Sequence, residues 1–214
     1  MRVETKKLLT DGVIFDVDGT FWDSTPVVEQ AWNQALIDSG ITDVTITADQ
    51  LKGLFGLPMM EIIDNVLPNA TKQQKLDYKP LCYQYESEYL TKTPGILYPR
   101  LKDALEALSK RFPLFIVSNC QEGYIELFFE KTGFGHYFQD HVCPGDTGLL
   151  KADNIKLIAE RHHLEHPVYI GDTQMDADAC KAAGVPIVFA SYGFGSVKEP
   201  DAVIAEPMDL CDLF

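Results

Sequence analysis

No stretch of this 214-residue chain approaches the run of about 20 apolar residues that crosses a bilayer. Its opening residues, Met-Arg-Val-Glu-Thr-Lys-Lys-Leu-Leu-Thr, lack the apolar centre of a secretory leader. Neither a membrane protein nor an exported one is expected. Positive charge is also scarce: 18 Lys and Arg stand against 32 Asp and Glu, a net charge of −14. A nucleic-acid surface needs a basic face for phosphates, so no nucleic-acid partner is expected. A small phosphorylated substrate remains compatible, because a bound metal ion reverses the local field. Cysteine is sparse and unpatterned, with Cys82, Cys120, Cys143, Cys180 and Cys211 in no C-x-x-C spacing. The five read as free thiols in a reducing cytoplasm. Internal repeats and low-complexity tracts are missing as well.

What is present suits a packed core: 46% of residues are hydrophobic and 23% charged, with length for one large domain or a core plus an insert. The organising stretch runs from Gly12 to Asp23. Val13, Ile14 and Phe15 form a short apolar run of the kind buried on both faces of a sheet. It ends in Asp16 and Asp18, and side chains two apart in extended chain point the same way. Two carboxylates therefore project together from one strand end, an arrangement that calls for a cation or a shared proton. Gly19, without a Cβ, lets the backbone turn sharply behind them.

From Thr25-Pro26 to Gly40 the pattern is helical, with Pro26 suited to the first turn and Gly40 to the end. Helical spacing returns over residues 48–55, 58–66 and 71–90, separated by turns at Gly53, Gly56-Leu57-Pro58 and Leu67-Pro68-Asn69. Val44 to Ile46 is the one run here with strand character. Tyr78, Leu81, Tyr85 and Tyr89 recur at three- and four-residue steps and read as helix packing. After Pro94-Gly95 the pattern changes. Apolar strands at 114–117, 168–170 and 187–189, with an edge run at 203–205, alternate with helices at 101–110, 121–132, 154–163 and 176–183. That alternation predicts right-handed βαβ crossovers and a parallel sheet. The expected fold is α/β: a Rossmann-like parallel-sheet core from residues 1–23 and 94–214, and a helical cap, residues 24–93, inserted after the first motif.

Ligands of an open parallel sheet bind beyond the carboxyl ends of its strands. The first strand ends in Asp16 and Asp18, the second in Ser118-Asn119, and the 168–170 strand in Gly171-Asp172. Carboxylates for a hard cation, with hydroxyl and amide donors for phosphate oxygens, are what metal-assisted phosphoryl transfer requires. Lys151 lies just ahead of a helix start, where a cation is electrostatically disfavoured; it reads as a group that neutralises phosphate and nucleophile together.

Asp16-Val-Asp18-Gly-Thr20, then Ser118-Asn119, then Lys151, then Gly171-Asp172-Thr173 with Asp176, resembles the four ordered motifs of the haloacid dehalogenase-like hydrolase superfamily. The likeness spans essentially the whole chain and is greatest to the phosphoglycolate phosphatase and β-phosphoglucomutase branch. It implies a Mg²⁺-dependent phosphatase acting on a small phosphorylated metabolite in the cytoplasm. By the resemblance, Asp16 is the nucleophile that forms an aspartyl phosphate, and Asp18 protonates the leaving oxygen and then activates water. Mg²⁺ is held by the Asp16 carboxylate, the Asp18 backbone carbonyl and the Asp172 carboxylate. Thr20, Ser118, Asn119 and Lys151 serve the phosphoryl group and its motif, and Asp176 supports the metal side or Lys151. The inserted cap implies a site that closes for attack and reopens to admit water.

Departures from the family's patterns narrow the choice. Dehalogenases lack the second aspartate of the first motif; Asp18 is present. β-Phosphoglucomutases carry a histidine where this chain has Val28 and an arginine in the cap loop, absent from Phe55-Gly56-Leu57-Pro58, where Lys52 is the only cation nearby. A sugar-phosphate mutase is therefore the second enzymatic reading, and a non-hydrolytic phospho-acceptor switch the third. Trp22 stands where relatives carry a smaller residue and either walls the pocket or packs under the cap. His162, His163 and His166 read as a solvated helix end, Cys120 as a passive thiol, and Asp178 as a solvent-facing helix residue.

Overall fold

The chain is described here by a computed structural model covering residues 7–214. Residues 1–6, on which part of the leader reading and the start of the expected core segment fall, lie outside the described residues. The apolar run of the first motif forms strand β1 (Gly12–Phe15), buried throughout. After it come a short β2 (Trp22–Asp23) and four helices, α1 (Thr25–Asp38), α2 (Ala48–Lys52), α3 (Met59–Val66) and α4 (Lys72–Lys92). Strand β3 (Ile96–Leu97) then pairs antiparallel with β2 and closes the base of the helical block. The remainder alternates: α5 (Leu101–Ser109), β4 (Leu114–Val117), α6 (Tyr124–Thr132), β5 (Phe138–Val142), α7 (Pro144–Thr147), α8 (Lys151–Arg161), β6 (Pro167–Gly171), α9 (Gln174–Ala183), β7 (Ile187–Ala190), β8 (Ala202–Ile204) and α10 (Leu210–Leu213).

Six strands form one sheet in the order β5-β4-β1-β6-β7-β8, and every pairing in it is parallel. This is the α/β core read from the strand–helix alternation, with the helical cap above it. The chain leaves β1 to one side for β4 and β5, then to the other for β6, β7 and β8. The reversal of strand order beside β1 is where such sheets open a crevice at their carboxyl ends.

Several local readings are corrected. Residues 44–46 form no strand; Asn33 on α1 takes up the backbone of Ile46 instead, donating to Ile46 O at 2.7 Å and accepting from Ile46 N at 3.0 Å. On α4 the fully buried seam is Tyr78, Cys82, Glu86 and Leu90, in steps of four, while Leu81, Tyr85 and Tyr89 lie half-buried beside it. Strand β5 was not anticipated. Its Gln139, Asp140 and His141 interrupt the apolar signal, as an edge strand with one covered neighbour permits. Helix α6 starts at Tyr124, because Gly123 before it takes φ +85°. Helix α8 starts at Lys151 itself, so this lysine occupies the first turn.

Between the sheet and α6 runs an aromatic layer. Phe128 of α6 is fully buried; its ring stacks on Phe21 at 5.4 Å and meets Trp22 edge-on at 5.0 Å. Phe128→Ala removes the centre of that layer and should destabilise the fold by about 3–5 kcal/mol in urea titrations. A loss below about 1 kcal/mol would show that the layer collapses onto the space.

Candidate active site

Each element end beside β1 delivers a polar group to one place. Asp16 follows β1 directly, and its amide donates to Ile170 O of β6 at 2.9 Å, which holds the carboxylate at the sheet's edge. Lys151 in the first turn of α8 sends its ammonium back to Asp16 Oδ1 at 3.0 Å and to Asp176 Oδ1 at 2.6 Å. Asp176 is fixed in turn: its Oδ2 accepts from the amides of Asp172 and Thr173 at 3.2 and 3.0 Å and from the Thr173 hydroxyl at 2.7 Å. The Thr173–Asp176 pair is a capping box that starts α9. Ligand oxygens of Asp16, Asp172 and Asp176 lie within 4.8 Å of one another, and all three residues are buried.

One ammonium therefore faces three carboxylates away from water. Burial pushes the Asp16 carboxyl above its usual range, opposed by Lys151 and reinforced by Asp176. Asp172 is pushed well up by burial and then by the neighbouring Asp176 and Asp16. Burial alone would lower Lys151; the charges of Asp16 and Asp176 reverse that and raise it, so it stays protonated. Asp172 Oδ2 accepts from the Phe194 amide at 2.7 Å, whereas its buried Oδ1 has no partner among the described residues. Gly19, at φ +79°, and Gly193 press so closely on this carboxylate that a Cβ on either would collide with it. An all-oxygen donor set with an orphaned carboxylate oxygen and surplus negative charge fits a hard cation such as Mg²⁺.

Asp18 projects beside this cluster, and its Oδ1 accepts from Trp22 Nε1 at 3.0 Å, from Tyr124 OH at 2.9 Å and from the Ser24 hydroxyl. Burial raises its carboxyl to about 7, against the lowering effect of Ser24 and Tyr124. Trp22 is fully buried and does not line the cavity; it packs on Tyr124 and Phe128 and steadies Asp18. Ser118 faces Asp16 from the end of β4. Asn119 donates its amide to Gly56 O of the cap loop at 2.7 Å. Thr20, read as a phosphate-binding group, is placed elsewhere: its hydroxyl is buried without a partner among the described residues and does not line the cavity, because the tight turn closed by Thr20 N to Val17 O at 3.2 Å turns it inward. Lys52 is engaged by Asp23 at 2.9 Å.

A cavity of about 850 Å³ opens over Asp16, Asp18, Ser118, Asn119 and Lys151, roofed by the cap. Tyr124, Ser24, Glu86 and the Gly193-Phe194 turn were not singled out from sequence. A signal existed for two of them. Glu86 continues the buried i+4 seam of Tyr78 and Cys82 as its one acidic member, and Gly193 and Gly195 bracket Phe194 just after a buried strand.

The haloacid dehalogenase-like hydrolase family model matches residues 13–190. The chain belongs to that family. It has the family's hydrolase architecture, a buried aspartate cluster at the ends of a parallel sheet. It is 27% identical over 212 residues to the phosphoglycolate phosphatase of Agrobacterium fabrum, covering 94% of this chain and 90% of that one. To the phosphoglycolate phosphatase of Escherichia coli O157:H7 it is 28% identical over 233 residues, covering 93% and 90%. Its fold superposes on a haloacid dehalogenase-like hydrolase from Streptococcus pneumoniae with a TM-score of 0.83 at 22% identity, over 94% of this chain and 96% of that one.

Glu86 provides a test of this site's electrostatics independent of activity. Burial lifts its carboxyl above the ordinary 4.5, against the lowering donors Gln121 and Trp32. Above that pH the folded state binds more protons than the unfolded one, so stability falls as pH rises. Glu86→Gln removes this contribution. Urea titrations across pH should give a shallower decline for the variant above pH 4.5; parallel declines would mean Glu86 titrates normally.

Proposed function

We propose that this protein is a Mg²⁺-dependent phosphomonoester hydrolase acting on a small phosphorylated metabolite through an aspartyl phosphate on Asp16. The observation that carries the reading is the Lys151 ammonium 3.0 Å from Asp16 Oδ1 at the floor of the cavity, beside the orphaned Oδ1 of Asp172. A carboxylate attacks an anionic phosphate only when positive charge offsets their repulsion. The names of the curated relatives support phosphate-ester chemistry.

Asp16 attacks phosphorus as the bond to the ester oxygen breaks, and that oxygen departs with a proton from Asp18. Three donors engage Asp18 Oδ1, which leaves Oδ2 to carry the proton. A carboxyl raised to about 7 supports its acid role at neutral pH. Water then attacks the phosphorus of the acyl phosphate, gives its proton to Asp18, and releases phosphate with the Asp16 carboxylate restored. Lys151 and Ser118 bind phosphoryl oxygens, Asn119 orders the loop that carries Ser118, and Asp176 holds Lys151 in place. The Asp16 carboxylate, the Asp18 carbonyl and the Asp172 carboxylate would hold Mg²⁺. Bound there, the ion supplies positive charge to nucleophile and phosphoryl group together.

Phosphate release from a panel of phosphomonoesters should require Mg²⁺ and stop with EDTA. Asp16→Asn should lose more than about a thousandfold in kcat while melting cooperatively, and Asp18→Asn about 10²–10⁴-fold. Retained turnover in Asp16→Asn would remove the nucleophile assignment; release unaffected by EDTA would remove the metal.

A further inference from the structure

The phosphoryl end of the cavity is polar, whereas the space above it is largely apolar. Phe55, Leu57, Met59, Met60, Ile62 and Leu127 line it, with Lys79, Tyr83, Gln84 and Ser87 of α4 along one side, and its 850 Å³ far exceeds a two-carbon alcohol. The ionisable group closest to the reacting centre from the cap side is Glu86. It is 6% exposed, and both its oxygens are engaged: Oε2 by Trp32 Nε1 at 2.9 Å and Oε1 by Gln121 Nε2 at 3.0 Å. Gln121 belongs to the loop that continues from Ser118 and Asn119, so Glu86 sits at the phosphoryl end of α4. Its charge is felt at Asp18 and at Tyr124.

The cavity's cap-side cation is Lys79. It precedes Glu86 by two turns of the same helix, an axial separation of about 10 Å, and its ammonium lies over the Tyr83 ring at 5.7 Å. A carboxylate one carbon from the ester oxygen stays tethered at the phosphate end, the end of α4 that Glu86 rather than Lys79 occupies. There an ionised Glu86 repels it, and a protonated Glu86 leaves it desolvated with no cation. A short ammonium-bearing leaving group meets no such repulsion, but on two carbons it fills little of the apolar wall and forgoes that contact.

We propose that the site selects phosphate esters of an uncharged, largely apolar alcohol longer than two carbons, with Glu86 as the residue that turns carboxylate-bearing esters away. This rests on the phosphohydrolase reading and refines its substrate, separating this chain from the activity in its relatives' names.

The test measures kcat/KM with saturating Mg²⁺ for phenyl phosphate, n-hexyl phosphate, 2-phosphoglycolate and O-phosphoethanolamine, using the wild-type protein and Glu86→Gln. The wild type should favour the two apolar esters over both charged ones by at least about tenfold. In Glu86→Gln the ratio of phenyl phosphate to 2-phosphoglycolate should narrow several-fold. Preference for 2-phosphoglycolate or O-phosphoethanolamine overturns the selectivity while leaving the hydrolase standing. An unchanged ratio in a folded Glu86→Gln overturns the role of Glu86, and the wild-type ratios decide the substrate class whether or not the variant folds. No release from any ester overturns the phosphohydrolase reading, and this inference with it.

Discussion

The contact on which the rest depends is the fork of Lys151 between Asp16 and Asp176. Asp16, Asp172 and Asp176 are gathered at one strand end with almost no water to screen them. At such short range and low dielectric their mutual repulsion amounts to several kcal/mol. A single ammonium cannot neutralise three carboxylates, but it can fix two of them; the Phe194 amide holds Asp172, and the Thr173 amide adds to the grip on Asp176. The net negative charge that remains makes the cluster receptive to a divalent cation. It also explains why a lysine is tolerated in the first turn of α8, where the helix dipole opposes it.

Topology makes that fork possible. Asp16 and Lys151 are 135 residues apart in sequence, and only a sheet with β1 between β4 and β6 brings them together. Parallel pairing points the carboxyl ends of β1, β4 and β6 the same way, so every loop that leaves them enters one crevice. Buried apolar strands supply the rigidity. Tyr169 reaches across from β6 to Val117 O at 2.7 Å, locking two strands that β1 separates. Apolar packing below thus fixes the strand ends, and the fork then orders the carboxylates those ends deliver.

That logic explains what could be read from the sequence. Strands buried on both faces leave continuous apolar runs, and β1, β4, β6 and β7 were legible for that reason. Of these, β1, β4 and β6 end in residues whose chemistry is unusual at a buried position, so Asp16, Ser118 and Asp172 stood out as well, and Lys151 did so at a helix start. Elements with mixed polarity did not: β5 is polar and half-exposed over most of its length, and Ile46 owes its backbone partner to Asn33, which no local pattern announces. Tyr124 and Ser24 were illegible because a hydroxyl's role depends on which carboxylate lies across the fold. Thr20 misled for the converse reason: a motif fixes the residue but not the direction its side chain takes in a tight turn.

The cap's grip on the core falls on the loop after β4 and on the turn beside Asp172. Asn119 donates to Gly56 O, Gln121 donates to Glu86, and Phe55 packs edge-on against Phe194 at 6.2 Å. The first two partners belong to the loop after β4, and the amide of Phe194 holds Asp172. Any lifting of the cap must therefore break hydrogen bonds to the loop carrying Ser118 and loosen the turn behind Asp172. Each such bond contributes on the order of 1 kcal/mol, so the pair makes a latch weak enough to open at physiological temperature. On the phosphohydrolase reading proposed above, closing the cap and completing the phosphoryl site would be the same event, and a leaving group filling the apolar roof would stabilise the arrangement needed for attack.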